Sequence, residues 1–231
     1  AQKTADEHGL TREKMDAFAI ESLTRAKRAI DEGLNAKEMA PVTIKTRRGE
    51  HTVTNDEQPH KADPEKIPQL RPAFSEGGTI TPANSSSISD GASALLLASE
   101  EAVKAHSLKP RARIVAHARN SLAPESFTLA PIGAIEQVLA KVGWTAVDVD
   151  LWEINEAFAM VTMLTSRALN LDPACVNVHG GACAQGHPIG STGSRIIVTL
   201  ISALELYGKK RGVAALCIGG GEGTAVAIEL V

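Results

Sequence analysis

Aromatic residues are scarce, at 3% of the 231 residues. Platforms on which bases or sugars stack are therefore missing, and single-strand nucleic-acid binding loses its usual equipment. Positive charge is not in excess either: 24 Lys and Arg against 27 Asp and Glu leave a formal net charge of −3. Without a basic surface to neutralise phosphates, a DNA or RNA partner is disfavoured. The longest apolar runs, such as Ala94-Leu95-Leu96-Leu97-Ala98, are too short to cross a bilayer. The opening residues Gln2, Lys3, Asp6 and Glu7 are polar or charged and unlike a signal peptide. Three cysteines form an odd set without ligand spacing, which argues against both a disulfide framework and a metal site. What remains is 43% hydrophobic and 22% charged, the composition expected of a cytosolic, soluble globular protein long enough to bury a core.

The chain changes character near residue 110. From there strand-like and helix-like stretches alternate with short connections: a strand at 113–118, a helix at 131–142 ending at Gly143, and a strand at 147–154. A helix follows at 156–169, then a short β-branched run at 175–178, a glycine-rich turn and an apolar helix at 193–207. The last two strand patterns, 213–218 and 224–230, are joined only by Gly219-Gly220-Gly221-Glu222-Gly223. That connection is too short for a helical crossover, so they should be antiparallel neighbours. The order β-α-β-α-β-α-β-β predicts an α/β unit with covering helices and a mostly parallel five-stranded sheet.

The first 110 residues are less regular. Thr11 can cap a helix running to Gly33, with Met15, Phe18, Leu23, Ala26 and Ile30 on one face. Residues 45–69 are polar, contain Pro59, Pro64 and Pro68, and suit a functional loop or small irregular subdomain. The apolar stretch Gly91 to Ser99 reads as a buried strand, yet the strands it would pair with are missing upstream.

Three segments fall at the C-terminal ends of strands, where open α/β sheets place their ligand crevice. In Trp152-Glu153-Ile154-Asn155-Glu156-Ala157-Phe158-Ala159, Asn155 stands where a strand gives way to a helix, and taken alone it reads as an N-cap. The stretch from Gly180 to Gly193 holds five glycines around His187, a loop that lets backbone and imidazole approach a ligand. It is not a phosphate-binding P-loop, because no Lys-Ser/Thr pair follows the glycines. A lone His there is more often a packed residue, but one fixed between Gly186 and Pro188 suits an oriented donor or base. In Ala214-Ala215-Leu216-Cys217-Ile218-Gly219-Gly220-Gly221, most cysteines on such a strand are small core residues. Cys217 differs in ending at a glycine run whose N–H groups could stabilise an oxyanion.

Together these segments resemble the signatures of the thiolase family, its acetyl-CoA C-acetyltransferases in particular: Asn-Glu-Ala-Phe-Ala at Asn155, Gly-His-Pro-Ile-Gly at Gly186, and Cys-x-Gly-Gly-Gly-x-Gly at Cys217, in that order. Leu70-Arg71-Pro72-Ala73-Phe74 and Asn84-Ser85-Ser86-Ser87-Ile88-Ser89-Asp90-Gly91 also resemble the family's loop-domain and coenzyme A-site sequence. The resemblance implies a thiolase-like α/β fold: a partial loop domain at 1–84, the last helix and strand of an otherwise missing N-terminal half at 85–110, and a C-terminal domain at 111–231. It implies thioester Claisen condensation of two acetyl-CoA to acetoacetyl-CoA and coenzyme A, and the reverse.

On that resemblance Cys217 takes the α-proton, its thiol pKa modestly lowered. His187 activates the nucleophile and donates to the thioester oxygen, Asn155 holds a water in the same oxyanion hole, and the Gly219 N–H serves a second hole. Ser86 and Phe74 line the pantetheine tunnel, Phe158 and Phe127 the acyl pocket, and His60 lies near the nucleotide end of coenzyme A. No metal and no cofactor are implied beyond the coenzyme A thioesters themselves; the full-length protein is expected to be a homodimer or homotetramer. Gln185, Glu222 and Ser191-Thr192-Gly193-Ser194 depart from the usual motifs without removing a needed group. Neither Cys175 nor Cys183 sits in the context of the acylated cysteine, so this chain alone lacks the nucleophile. The alternative is a non-catalytic thiolase-like module that binds coenzyme A; a Rossmann-type oxidoreductase is disfavoured by the missing glycine fingerprint.

Overall fold

A computed structural model describes all 231 residues. A short helix α1 (Gln2–Glu7) leads into α2 (Arg12–Asp31). The Thr11 hydroxyl caps α2 by accepting from the Lys14 N–H, and Met15, Ala19, Leu23 and Ala26 form its buried stripe. The polar stretch that follows is structured: a hairpin of β1 (Val42–Thr46) and β2 (Gly49–Val53), the single turn α3 (Gln58–Lys61), and a 3₁₀ turn at Pro64–Gln69.

After α4 (Glu100–Ala105) come β3 (Ala112–Ser121), α5 (Ala130–Val142), β4 (Leu151–Ile154) and α6 (Ala159–Leu169). The one-turn α7 (Ala182–Gln185) precedes α8 (Thr192–Leu206), β5 (Arg211–Ile218) and β6 (Glu222–Leu230). Helix α5 ends at Gly143 in the left-handed region (φ +68°), a conformation glycine adopts without a Cβ penalty.

The sheet order is β3-β6-β5-β4. It differs from the expected mostly parallel five-stranded sheet: four strands are present and only β4–β5 is parallel, while β3–β6 and β5–β6 are antiparallel. The 175–178 run supplies a single bridge, Trp152 to Val176. Its ladder stops because Asn177 turns to positive φ (+47°) and spends its side chain on the backbone of Ile154. The stretch 91–99 joins no ladder, and Leu96 and Leu97 are 89% and 72% exposed. With no neighbouring strand to satisfy its backbone, it lies outside any regular element at the surface.

Alternation along β5 divides the core. Val213 and Ala215 face α5, packing with Ala134, Ile135 and Val138, while Ala214 faces Ile196, Leu200 and Leu204 of α8. Small residues let these layers close tightly. A Cβ on Gly223 would lie 2.6 Å from the Ala130 carbonyl oxygen and 2.7 Å from the Pro131 nitrogen. Both are backbone atoms that cannot step aside, so Gly223→Ala is expected to lower stability by about 2–3 kcal/mol. A drop in urea midpoint at constant m-value checks this.

Candidate active site

Two strand ends and a helix start converge. The Asn155 N–H, one residue beyond β4, donates to the Ala215 carbonyl at 2.9 Å, two residues before Cys217. Asn177 pins the preceding residue, accepting from the Ile154 N–H and donating to the Ile154 carbonyl, each at 2.8 Å. The Asn155 side chain is only 2% exposed, yet neither Oδ1 nor Nδ2 has a partner in the protein. A buried amide without partners is costly unless a water or ligand supplies them. It does not cap the following helix: α6 begins at Ala159 and the residue before it is Phe158.

The segment from Asn84 to Ser93 stitches this turn to the one carrying His187. At one end Ser85 bridges Phe158, and both the N–H and the hydroxyl of Ser86 donate to the Ala157 carbonyl at 3.0 and 3.2 Å. At the other, Ile88 bridges His187, whose N–H donates to the Ser87 carbonyl at 3.0 Å, and Ser93 meets the Ser191 and Ser194 hydroxyls. Gly91 lies flat against Pro188, where a Cβ would meet Cγ at 2.5 Å.

The imidazole of His187 is half-buried. Its Nδ1 is 2.6 Å from the Thr192 hydroxyl, which donates to the Pro188 carbonyl at 3.0 Å. Assigned from this network, Nδ1 carries the proton and Nε2 the lone pair. Burial, and then the Arg195 charge, hold the ring below its ordinary pKa, so it is neutral near pH 7. Arg195 keeps much of its field because its nearest carboxylate, Glu153 at 3.8 Å, is pushed up by burial to about 8.

Cys217 is 6% exposed and packs with Ala159 and Met160 of α6, beside Phe127 and Phe158. Burial pushes its thiol up to about 11, opposite to the modest lowering that the resemblance implied. Phe127 and Phe158 meet edge to face, centroids 6.1 Å apart, as one apolar wall. Beyond the thiol, a Cβ on Gly219 would meet nothing within 4 Å, so no neighbour crowds the backbone at that strand end. Thus Asn155, Phe158, Cys217 and Phe127 fall around the strand ends, and the segment from Ser85 to Ile88 links that turn to His187.

Phe74 and His60 are not drawn in. Phe74 is 68% exposed and outside the apolar clusters, and His60 pairs with Asp31 at 3.4 Å. The cleft of about 320 Å³ between α2 and residues 58–70, lined by Leu23, Gln58, Lys61, Lys66, Leu70 and Cys183 among others, holds none of the candidate residues. No three His, Cys, Asp or Glu side chains gather as a metal site, and no helix is long and apolar enough to cross a membrane. Sequence reasoning missed Asn177, Thr192 and Glu156 as neighbours of the site; Glu156, within the first motif, and Thr192, within the glycine-rich second segment, had a signal that could have drawn attention, and Asn177 had none.

One titration bears on stability. His179 is 1% exposed, its Nε2 3.1 Å from the Tyr207 hydroxyl and its Nδ1 unpartnered, and burial pushes it down to about 4. Below the unfolded value near 6.5 the unfolded chain takes a proton that the folded chain refuses, so stability falls between pH 6.5 and 4. That contribution is up to about 3 kcal/mol. In His179→Gln the decline over this window should be shallower by that amount, measured by urea unfolding at each pH.

A family model described as the thiolase C-terminal domain matches residues 108–230, and one described as the thiolase N-terminal domain matches residues 1–101. The chain belongs to the thiolase family. It is 46% identical over 230 residues to an acetyl-CoA acetyltransferase of Yarrowia lipolytica, covering 100% of this chain and 57% of that protein. It is 44% identical to a mitochondrial 3-ketoacyl-CoA thiolase of Bos taurus, covering 99% of this chain and 58% of the relative. The crystal structure of the Bacillus anthracis acetyl-CoA acetyltransferase superposes on all of this thiolase chain with a TM-score of 0.96 at 41% identity, while the chain covers 59% of that structure. The fold is therefore thiolase-like α/β, and the chain spans rather more than half the length of the relatives it matches.

Proposed function

We propose that this thiolase chain supplies the carbon-acid side of a coenzyme A thioester condensation. The carrying observation is the buried, unpartnered amide of Asn155, bonded through its backbone to β5, the strand that carries Cys217 near its end. Such an amide offers a fixed place for a water or oxyanion beside the thiol. In this reading Cys217 takes the α-proton of an acyl-CoA; the Gly219 N–H and a water held by Asn155 stabilise the thioester oxygen as charge builds there, and His187 donates to it once its Nε2 has accepted the proton of the nucleophilic thiol. Phe127 and Phe158 shape a short acyl pocket, Ser86 sits where the pantetheine arm passes, and Phe74 marks its outer end.

The overall reaction is two acetyl-CoA giving acetoacetyl-CoA and coenzyme A, and the reverse. The cysteine that carries the acyl group is not among Cys175, Cys183 and Cys217, and would come from outside these 231 residues. The division is a loop domain over 1–84, a connecting helix and strand over 85–110 and the C-terminal domain over 111–231, in a homodimeric or homotetrameric enzyme. Proton abstraction can be followed without the acylated cysteine. In D₂O the chain should exchange the acetyl protons of acetyl-CoA faster than buffer does, seen as loss of the methyl signal by proton NMR. A second reading, a module that binds coenzyme A without turnover, is favoured by the thiol held near 11; binding with no proton exchange would select it.

A further inference from the structure

We propose that Glu156 is a positioning residue whose carboxylate fixes Asn155 and the turn leading to His187 in one rigid frame. The proposal rests on the thioester reading of the site, and the geometry behind it is independent of that reading. Glu156 follows Asn155 directly and is 1% exposed. One carboxylate oxygen accepts from Asn177 Nδ2 at 2.8 Å, the same amide group that holds the Ile154 backbone. The other accepts from the Ser22 hydroxyl at 2.7 Å and from the Cys183 N–H at 3.1 Å. Ser22 in turn accepts from the Gly181 N–H at 2.9 Å.

One carboxylate therefore joins the end of β4, helix α2 and the start of α7. A single turn of helix separates Cys183 from His187, and the Gly186 N–H closes it on the Ala182 carbonyl at 2.9 Å. A displacement at Cys183 is thus passed to the imidazole rather than absorbed. Gly181 has no side chain because the Glu156 carboxylate occupies that space, and Gly180 takes φ +78° with the Ser22 carbonyl where its Cβ would go. All the partners are donors, which suits a carboxylate; burial raises its proton affinity and the three donors oppose that rise. Neither an amide nor an apolar residue can accept all three, so the assignment is specific to Glu.

Glu156→Gln keeps the volume but turns an NH₂ toward donors. It should lower the rate of acetyl-CoA α-proton exchange about 10–100-fold while leaving its KM within about twofold, the pattern of an oriented group 1 Å out of place. In an Asn155→Ala background the same change should cost less than in the parent, because the part of its effect that passes through Asn155 is already gone while the part that reaches His187 remains. Amide hydrogen exchange should show faster exchange at Cys183 and Gly181 with β5 and β6 unchanged. Ser22→Ala, which removes one donor and leaves the carboxylate, should give a smaller shift in the same direction and carries the test if Glu156→Gln does not fold. A full, multiplicative loss in the Asn155→Ala background would overturn the coupling to Asn155, and unaltered protection at Cys183 would overturn the hold on the turn that leads to His187. Absence of exchange in the parent chain would count against the thioester reading alone, since the amide-exchange result still decides whether Glu156 holds the turn.

Discussion

Cys217→Ala is expected to lower α-proton exchange on acetyl-CoA by about 10²–10⁴-fold, the range a positioned general base contributes. The pH dependence adds a signature. Burial holds the thiol at about 11, so near pH 7 only a minute fraction is thiolate. The exchange rate should therefore rise about tenfold per pH unit from 7 to 10 and flatten near 11. Cys217→Ala should remove this slope, leaving only the buffer-catalysed background. A profile centred near the ordinary thiol value would mean that the apolar wall of Ala159, Met160, Phe127 and Phe158 does not surround the sulfur in solution.

Asn155→Ala should cost about 10²–10³ in the same assay, the loss typical of one oxyanion donor. Its second signature separates function from stability. Most buried polar residues, when truncated, strand a partner and destabilise the fold. The Asn155 side chain has no protein partner to strand, so the variant should unfold within about 1 kcal/mol of the parent. Large loss of rate with near-native stability is the expected combination, read from NMR exchange and urea unfolding on the same preparation.

How much of this was legible in the sequence varied with the distance over which each feature is decided. The Thr11 cap, the Gly143 stop and the antiparallel final pair rest on neighbours within a few residues, and all three are present. The stretch at 91–99 failed because an apolar run states only a wish for burial, whereas a strand needs partners that other segments provide. The 175–178 run failed through one residue, Asn177, whose positive φ no β-propensity discloses.

The site divides the same way. Asn155 stands out because it follows the end of a strand, His187 because it lies between Gly186 and Pro188 in a glycine-rich turn, and Cys217 because it nears a strand end that runs into glycines. The environment of Cys217 was not legible locally: the glycine run marks only the strand end, while residues of α6, some sixty positions upstream, bury the sulfur and raise its pKa above the modestly lowered value that the resemblance implied. The bond between Ser22 and Glu156 spans 134 positions, and nothing local to either residue announces it.

In the proposed site Cys217 faces the α-carbon of a bound thioester, and chloroacetyl-CoA tests this most directly. A thiolate there would form a sulfur–carbon bond at that carbon and expel chloride, leaving a coenzyme A thioester on the protein that peptide mass mapping locates. The expected result is an adduct on Cys217 alone among the three cysteines, formed faster at pH 9 than at pH 7 and suppressed by free coenzyme A. An adduct on Cys175 or Cys183 instead, or labelling of Cys217 that coenzyme A does not slow, would contradict it.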